Sequence, residues 1–135
     1  MKNTWGMPLG LTIGPKYGNT ITKVDGINFD SKKEANRYLE LKLMVKGNII
    51  RNLNLQPAFE ILPSFTDSTG KKHRCISYVA DFEYFDKERK VHVVEDVKGM
   101  RTEVYKLKLK MFLHKYLNEK PTSKKLSHKM IFVEI

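Results

Sequence analysis

The run VHVVEDV, from Val91 to Val97, limits the fold more than any other part of this sequence. It is short, rich in valine and apolar almost to its end, which is typical of a β-strand that is buried on both faces. We expect such a strand inside a central sheet that is flanked by helices, which is an α/β architecture.

Two helices are predicted, one before this run and one after it. The first follows Ser31, because Ser31 with Glu34 three residues later forms a capping box, and it ends at Gly47. The second covers roughly residues 102–118. In that segment, apolar side chains recur at helical spacing along one stripe: Tyr105, Leu109, Phe112 and Tyr116.

Strands are predicted elsewhere in the chain from Ile21 onward. Asp25-Gly26, between ITKV and INF, is the signal of a two-residue hairpin turn. Further β-favouring segments are LNLQPAFEILPSF, the long run from Arg74 to Phe85, and Lys129 to Ile135. The order of hairpin, helix, three-strand meander, helix and strand predicts an α/β domain with a mixed sheet.

The chain has 135 residues, and we predict one domain over residues 19–135 after a flexible arm at residues 1–18 that is interrupted by Gly and Pro. Cys75 is the only cysteine, which excludes an internal disulfide framework and a multi-cysteine zinc site and fits a reducing compartment. The sequence shows no signal peptide and no apolar run of about 20 residues, so we expect a soluble, cytoplasmic protein.

Charge points to a class of partner. The chain has 25 Lys and Arg against 15 Asp and Glu, a formal net charge of +10, spread along its whole length. A positive field over much of a small domain favours a polyanion such as nucleic acid. The alternative is that a lysine-rich surface serves only solubility. A membrane surface is less favoured, because no segment pairs a strongly apolar face with a basic one.

Acidic residues lie where apolar strands are predicted. Asp96 ends the run VHVVEDV, and alternation along a strand puts Lys98 on the same face as Asp96 and Glu95 on the other. Asp81 interrupts the preceding half-buried strand, and a short turn joins the two strands. Neighbouring antiparallel strands lie about 4.8 Å apart, so Asp81 and Asp96 could lie side by side. A hard divalent cation such as Mg²⁺ or Mn²⁺ would relieve the repulsion between two such carboxylates.

The first helix offers a third acid. Glu34 falls within the apolar arc of that helix, so we expect it to face the sheet. It also completes the capping box with Ser31. Both roles, metal ligand and helix cap, stay open.

Carboxylates that hold metal ions, with a lysine beside them, suit phosphodiester hydrolysis. The metal binds the scissile phosphate and lowers the pKa of a bound water. Lys98 could orient that water or offset the charge that develops on phosphorus. The competing interpretation is that Asp96 and Lys98 form a structural ion pair.

The sequence resembles the PD-(D/E)XK nuclease superfamily, and more closely a family of small phage-encoded proteins assigned to that superfamily. The resemblance extends over about residues 16–116. It is carried by KYGNTITKVDGINFDSKKEANRYLELKLM, LQPAFEI, YVADFEY, VVEDVKG and TEVYKLKLKMF. It implies a restriction-endonuclease-like αβββαβ core and a metal-dependent DNA endonuclease that uses Mg²⁺ or Mn²⁺. It also implies work on phage DNA in a bacterial host, in recombination, replication or packaging.

The resemblance assigns roles to individual residues. Glu34 matches the acid of the first helix, Asp81 the acid of the second strand, and Asp96 with Lys98 the (D/E)-x-K motif of the third. The carbonyl of Val97 would be a further metal ligand. The sequence departs from the superfamily at Ala80, where the name of the motif has Pro.

Other residues and functions belong to the same set of expectations. Gln56, Lys106 and Lys110 are weaker candidates for contact with DNA. The alternative function is a non-catalytic nucleic-acid-binding accessory protein on a degenerate nuclease fold, and a third is a structural or protein-binding role. A homodimer would allow two active sites to cut both strands of a duplex. Branched and duplex DNA are both compatible with the motifs.

Overall fold

The computed structural model describes residues 21–97, 101–118 and 129–135. The predicted arm at residues 1–18 and Lys98 lie outside these ranges. Within them the helices are α1 (Lys32–Lys46) and α2 (Glu103–Tyr116). The strands are β1 (Thr22–Val24), β2 (Ile27–Phe29), β3 (Ile50–Leu55), β4 (Ala58–Leu62), β5 (Phe65–Thr66), β6 (Lys72–His73), β7 (Ile76–Val79), β8 (Phe82–Asp86), β9 (Val91–Asp96) and β10 (Met130–Glu134).

The chain divides after Leu43 into two compact units. The first unit contains the predicted hairpin, in which β1 pairs antiparallel with β2. Asp25 and Gly26 both have positive φ, 54° and 77°, as the two-residue turn requires. Asp25 also accepts a hydrogen bond of 3.1 Å from the hydroxyl of Tyr38, so the turn is attached to α1. The hairpin prediction is confirmed.

The start of the first helix is also confirmed. The Oγ of Ser31 accepts a hydrogen bond of 3.1 Å from the N–H of Glu34, one of the N–H groups that a helix leaves without an internal partner. From there α1 continues to Lys46, as the pattern predicts.

The second unit contains a four-stranded mixed sheet in the order β10-β9-β8-β3. β3 with β8 and β8 with β9 are antiparallel, whereas β9 and β10 are parallel. In chain order α1 precedes β3, and α2 connects β9 to β10, which gives the predicted αβββαβ sequence of core elements. The molecule is therefore an α/β protein with a mixed central sheet.

One strand prediction is wrong. The run from Arg74 to Phe85 is not a single strand but two, β7 and β8, separated at Ala80 and Asp81. The reason is a change of partner, because β7 pairs with β4 whereas β8 pairs with β3 and β9. The segment LNLQPAFEILPSF likewise divides into β3 and β4. The predicted simple meander is thus interrupted by an inserted ribbon, β4 to β7.

The core of the second unit lies between β9 and α2. Val93, Val94 and Phe112 are fully buried, and Tyr78 and Ile61 join Val94 and Phe112 in one cluster. The stripe predicted along the second helix packs against this cluster, which confirms it. Residues 93–97 are all buried, in agreement with a strand that is covered on both faces. In the described part of the chain, neither helix has the length and apolar character needed to cross a membrane.

Candidate functional site

Asp81 lies in the break between β7 and β8, and three of its atoms form hydrogen bonds. Its N–H donates to the carbonyl of Glu95 at 3.1 Å, and its carbonyl accepts from the N–H of Gln56 at 2.9 Å. Its Oδ2 accepts from the N–H of Val97 at 2.6 Å. The register of β8 and β9 ends with Phe82 opposite Glu95, and Asp81 directly precedes β8. The bond to Val97 brings the Asp81 carboxylate to the end of β9, because Val97 directly follows Asp96.

Asp96 is the last residue of β9 and is fully buried. The hydroxyl of Tyr78, on β7, donates a hydrogen bond to Oδ2 of Asp96. The carbonyl of Asp96 accepts from the N–H of Ile135 at 2.9 Å. A buried carboxylate is costly unless it is hydrogen-bonded, so Tyr78 makes this burial tolerable. Burial and the bond to Asp96 together hold the pKa of Tyr78 above its usual range.

Glu95 is equally buried but lies on the other face of β9. There it accepts a hydrogen bond from the hydroxyl of Tyr84. Glu95 contacts Asp81 through its backbone carbonyl, whereas Asp96 is followed directly by Val97, whose N–H binds the Asp81 carboxylate. The two adjacent carboxylates of β9 are thus held by two different tyrosines on two different faces.

A second tyrosine and acid lie beside Asp96. Glu134 is paired with Asp96 in the parallel register of β9 and β10. Its carboxylate accepts from the hydroxyl of Tyr105 at 2.8 Å and forms an ion pair with Arg101. Burial raises the pKa of Tyr105 to about 12, and the charge of Asp96 adds to this shift.

Sequence reasoning missed the site contacts of Tyr78, Tyr105, Glu134 and Arg101. Tyr105 was predicted only as part of an apolar stripe. A signal for Tyr78 was present, because it is a polar-tipped residue on the buried face of a strand that leads directly to Asp81. Glu134 has a weaker signal, an acid near the end of an apolar terminal strand.

The remaining candidates of the catalytic set and the second helix are Glu34, Lys98, Lys106 and Lys110. Glu34 is buried, with 5% of its surface exposed, and belongs to the first unit, where its N–H is bonded to Ser31. Lys98 lies outside the described residues. Lys106 is exposed and pairs with Glu103 at 3.2 Å, and Lys110 is exposed on the same helix. Their predicted roles stay predictions.

Gln56 differs from these residues, because its backbone contacts Asp81. It is exposed, has a positive φ of 51°, and donates its backbone N–H to the Asp81 carbonyl. The contact is made by the backbone, so it does not depend on the amide side chain.

The described residues offer a limited set of metal ligands. Among them no group of three or more His, Cys, Asp or Glu side chains is arranged to hold a metal ion. The ends of β8 and β9 supply two carboxylates, Asp81 and Asp96, and the backbone of Val97. Mg²⁺ commonly binds proteins through one or two carboxylates and completes its shell with water and substrate phosphates. Two carboxylates of this kind fit that cation.

Comparison with known proteins gives a family and no named relative. No curated protein and no solved structure matches the chain significantly. Residues 15–130, most of the chain, match the family described as a protein of unknown function, DUF1064. The chain belongs to the DUF1064 family.

Proposed function

We propose that this protein is a divalent-metal-dependent DNA endonuclease that hydrolyses phosphodiester bonds at the ends of β8 and β9. The observation that carries the proposal is the hydrogen bond from the N–H of Val97 to the Asp81 carboxylate, because Val97 directly follows the buried Asp96. Carboxylates held at adjoining strand ends are a suitable donor set for a hard cation.

Asp81, Asp96 and the carbonyl of Val97 would hold Mg²⁺ or Mn²⁺. When bound, the metal supplies charge for the scissile phosphate and lowers the pKa of a water. Lys98 orients the attacking water or offsets the charge on phosphorus. The resemblance to PD-(D/E)XK nucleases implies Glu34 as an auxiliary acid.

The chain's own hydrogen bonds prepare this site. Tyr78 fixes one oxygen of Asp96, and the N–H of Val97 fixes one oxygen of Asp81. Groups that are held in place before the reaction need no reorganisation as charge develops, which is a large part of electrostatic catalysis. The acids are therefore oriented by the fold and not by the substrate.

The net charge of +10 supports DNA as the substrate. Each phosphate that the protein neutralises releases counterions, so binding should weaken steeply as salt is added. The resemblance to small phage-encoded proteins suggests a task in phage DNA recombination, replication or packaging inside the bacterial cytoplasm. Branched or junction DNA and a homodimeric enzyme belong to the same proposal.

The alternative is a non-catalytic nucleic-acid-binding accessory protein. It is favoured by the finding that the described residues contain no three-ligand metal cluster. It predicts DNA binding that is indifferent to metal and to the charge of Asp96.

A cleavage panel separates the two functions. Labelled duplex, single-strand, flap and four-way-junction DNA are incubated with wild type or Asp96→Ala in Mg²⁺, Mn²⁺ or EDTA. The endonuclease predicts cutting that needs metal and is lost in the variant. Tight binding of wild type without cutting in either metal would support the accessory protein.

A further inference from the structure

The inserted segment at residues 58–79, here called the ribbon, leaves the central sheet next to Asp81. β4 pairs antiparallel with β7, and further out β5 pairs antiparallel with β6. At its base the N–H of Gln56 bonds to the carbonyl of Asp81 at 2.9 Å, and the N–H of Ala80 bonds to the carbonyl of Pro57 at 3.1 Å. The ribbon therefore begins and ends at the candidate site.

The base of the ribbon is anchored on α2. The ring of Phe59 packs against those of Phe112 and Tyr116, with centroid distances of 4.8 and 5.5 Å. The Tyr116 hydroxyl donates to the carbonyl of Glu60 at 2.9 Å. The outer part is largely exposed, and even Phe65 leaves 46% of its surface accessible. An anchored base with an exposed outer half is suited to reach a large partner.

The tip of the ribbon is ordered by its own contacts. Oδ1 of Asp67 accepts from the N–H groups of Thr69 at 2.8 Å and Lys71 at 3.1 Å. Oδ2 of Asp67 contacts the ring of His73 at 2.8 Å, and that ring stacks on Phe65 at 4.7 Å. A tip that is already ordered loses little conformational freedom on binding.

Basic residues outnumber acidic ones in the tip of the ribbon. Residues 64–75 contain one acid, Asp67, which is held on the side of His73 and Phe65. The opposite side carries Lys72, paired with Thr66 in the register of β5 and β6. Arg74 follows directly after β6 and is exposed, as Lys72 is. The tip therefore presents exposed basic side chains, and that of Lys72 lies on the side away from Asp67.

We infer that the ribbon is a duplex-DNA-binding arm that lies in the major groove through its tip, which bears the exposed Lys72 and Arg74. A two-stranded ribbon fits the major groove of B-DNA, which is about 12 Å wide. The major groove of duplex RNA is too narrow for such an element. This inference rests on DNA as the substrate of the proposed function, but not on its cleavage. In the proposed enzyme, the ribbon would bind duplex DNA next to the bond that is cleaved.

The test is DNA binding in EDTA, where cleavage cannot interfere. Fluorescence anisotropy measures the Kd of a short labelled duplex for wild type, for Lys72→Gln with Arg74→Gln, and for Lys87→Gln with Lys90→Gln. The last pair removes the same charge from the β8–β9 turn, at the far end of the sheet. The ribbon variant should bind roughly tenfold more weakly, with a salt slope reduced by about 2, since each lost phosphate contact lowers it by about 0.9.

The control variant should keep most of the wild-type affinity, and duplex RNA of the same sequence should bind wild type more weakly than DNA. Equal losses in both variants, no loss in the ribbon variant, or no binding of duplex DNA by wild type would overturn the inference. Cleavage with Mg²⁺ is then measured separately. If the ribbon variant binds more weakly but wild type does not cleave, the DNA-binding arm is retained and the endonuclease is rejected. If wild type and the ribbon variant bind and cleave equally well, the endonuclease is retained and the arm is rejected.

Discussion

The carboxylate of Asp81 accepts a hydrogen bond of 2.6 Å from the backbone N–H of Val97. Val97 follows Asp96 directly, so this bond connects the two strand ends that carry the candidate acids. The bond uses a side-chain acceptor where a regular strand would use a backbone carbonyl. Asp81 therefore has a structural role that can be separated from a catalytic one.

Asp81→Ala and Asp81→Asn should differ in stability. The alanine variant leaves the N–H of Val97 without its acceptor and should lower the free energy of unfolding by about 1–3 kcal/mol. The asparagine variant keeps a neutral acceptor and should retain most of that stability. Urea unfolding followed by circular dichroism measures both. Equal destabilisation by the two variants would show that the charge and not the hydrogen bond matters for folding.

Tyr78→Phe should reduce both stability and cleavage. It removes the donor to buried Asp96, which should cost about 1–3 kcal/mol in unfolding free energy and should loosen the candidate ligand. Tyr84→Phe is the matched control, because it removes the corresponding bond to Glu95 on the other face of β9. We expect similar losses of stability but a loss of Mg²⁺-dependent cleavage only for Tyr78→Phe. Equal cleavage by the two variants would contradict a positioning role for Tyr78.

The two roles of Glu34 can be separated through its cap partner. Ser31→Ala removes the acceptor of the Glu34 N–H and should lower stability by about 1 kcal/mol without reducing cleavage at a temperature where the protein is folded. Glu34→Gln should reduce cleavage if this acid assists the metal site. Cleavage rates and melting temperatures, measured for both variants, distinguish the helix-cap role from the metal-site role. Full activity of Glu34→Gln would leave Glu34 with a structural role alone.

Acid should weaken the ribbon tip. The bond to His73, with further bonds from Thr69 and Lys71, lowers the pKa of Asp67 well below its usual value of 3.8. On acidification the unfolded chain therefore takes up this proton first. The stabilisation is complete above the unfolded pKa and is lost as the pH falls through the lower folded pKa.

The variant Asp67→Asn has no such proton to bind. Its Tm should fall less than that of wild type between about pH 5 and pH 2. Thermal unfolding at several pH values in this window provides the measurement. If the Tm of wild type and that of Asp67→Asn fall equally with pH, the ionised Asp67 carboxylate does not stabilise the folded state.

The elements that the sequence predicts correctly have local causes. The hairpin depends on Asp25-Gly26, and α1 starts at Ser31 because the hydroxyl bonds three residues ahead. The antiparallel pairing of β8 with β9 has a local cause as well, because a short turn joins the two strands.

The ribbon was not predictable in the same way. The alternation in ISYVADFEYF continues through Ala80 and Asp81, so the local sequence pattern does not indicate that the chain changes its partner strand there. The bond from Tyr78 to Asp96 joins residues 18 positions apart and depends on how two sheets and a helix pack. Contacts of this kind arise from tertiary structure, and a periodic pattern does not encode them.

The most direct test of the proposed site compares the two neighbouring acids of β9. Asp96→Asn and Glu95→Gln each replace a fully buried carboxylate that a tyrosine hydroxyl holds, and each keeps an acceptor for that hydroxyl. Single-turnover cleavage of the preferred DNA is measured with Mg²⁺ and with EDTA. We predict cleavage that needs metal, a loss of at least about 100-fold for Asp96→Asn, and near wild-type rates for Glu95→Gln. Equal rates for the two variants, or no metal-dependent cleavage by wild type, would contradict the account.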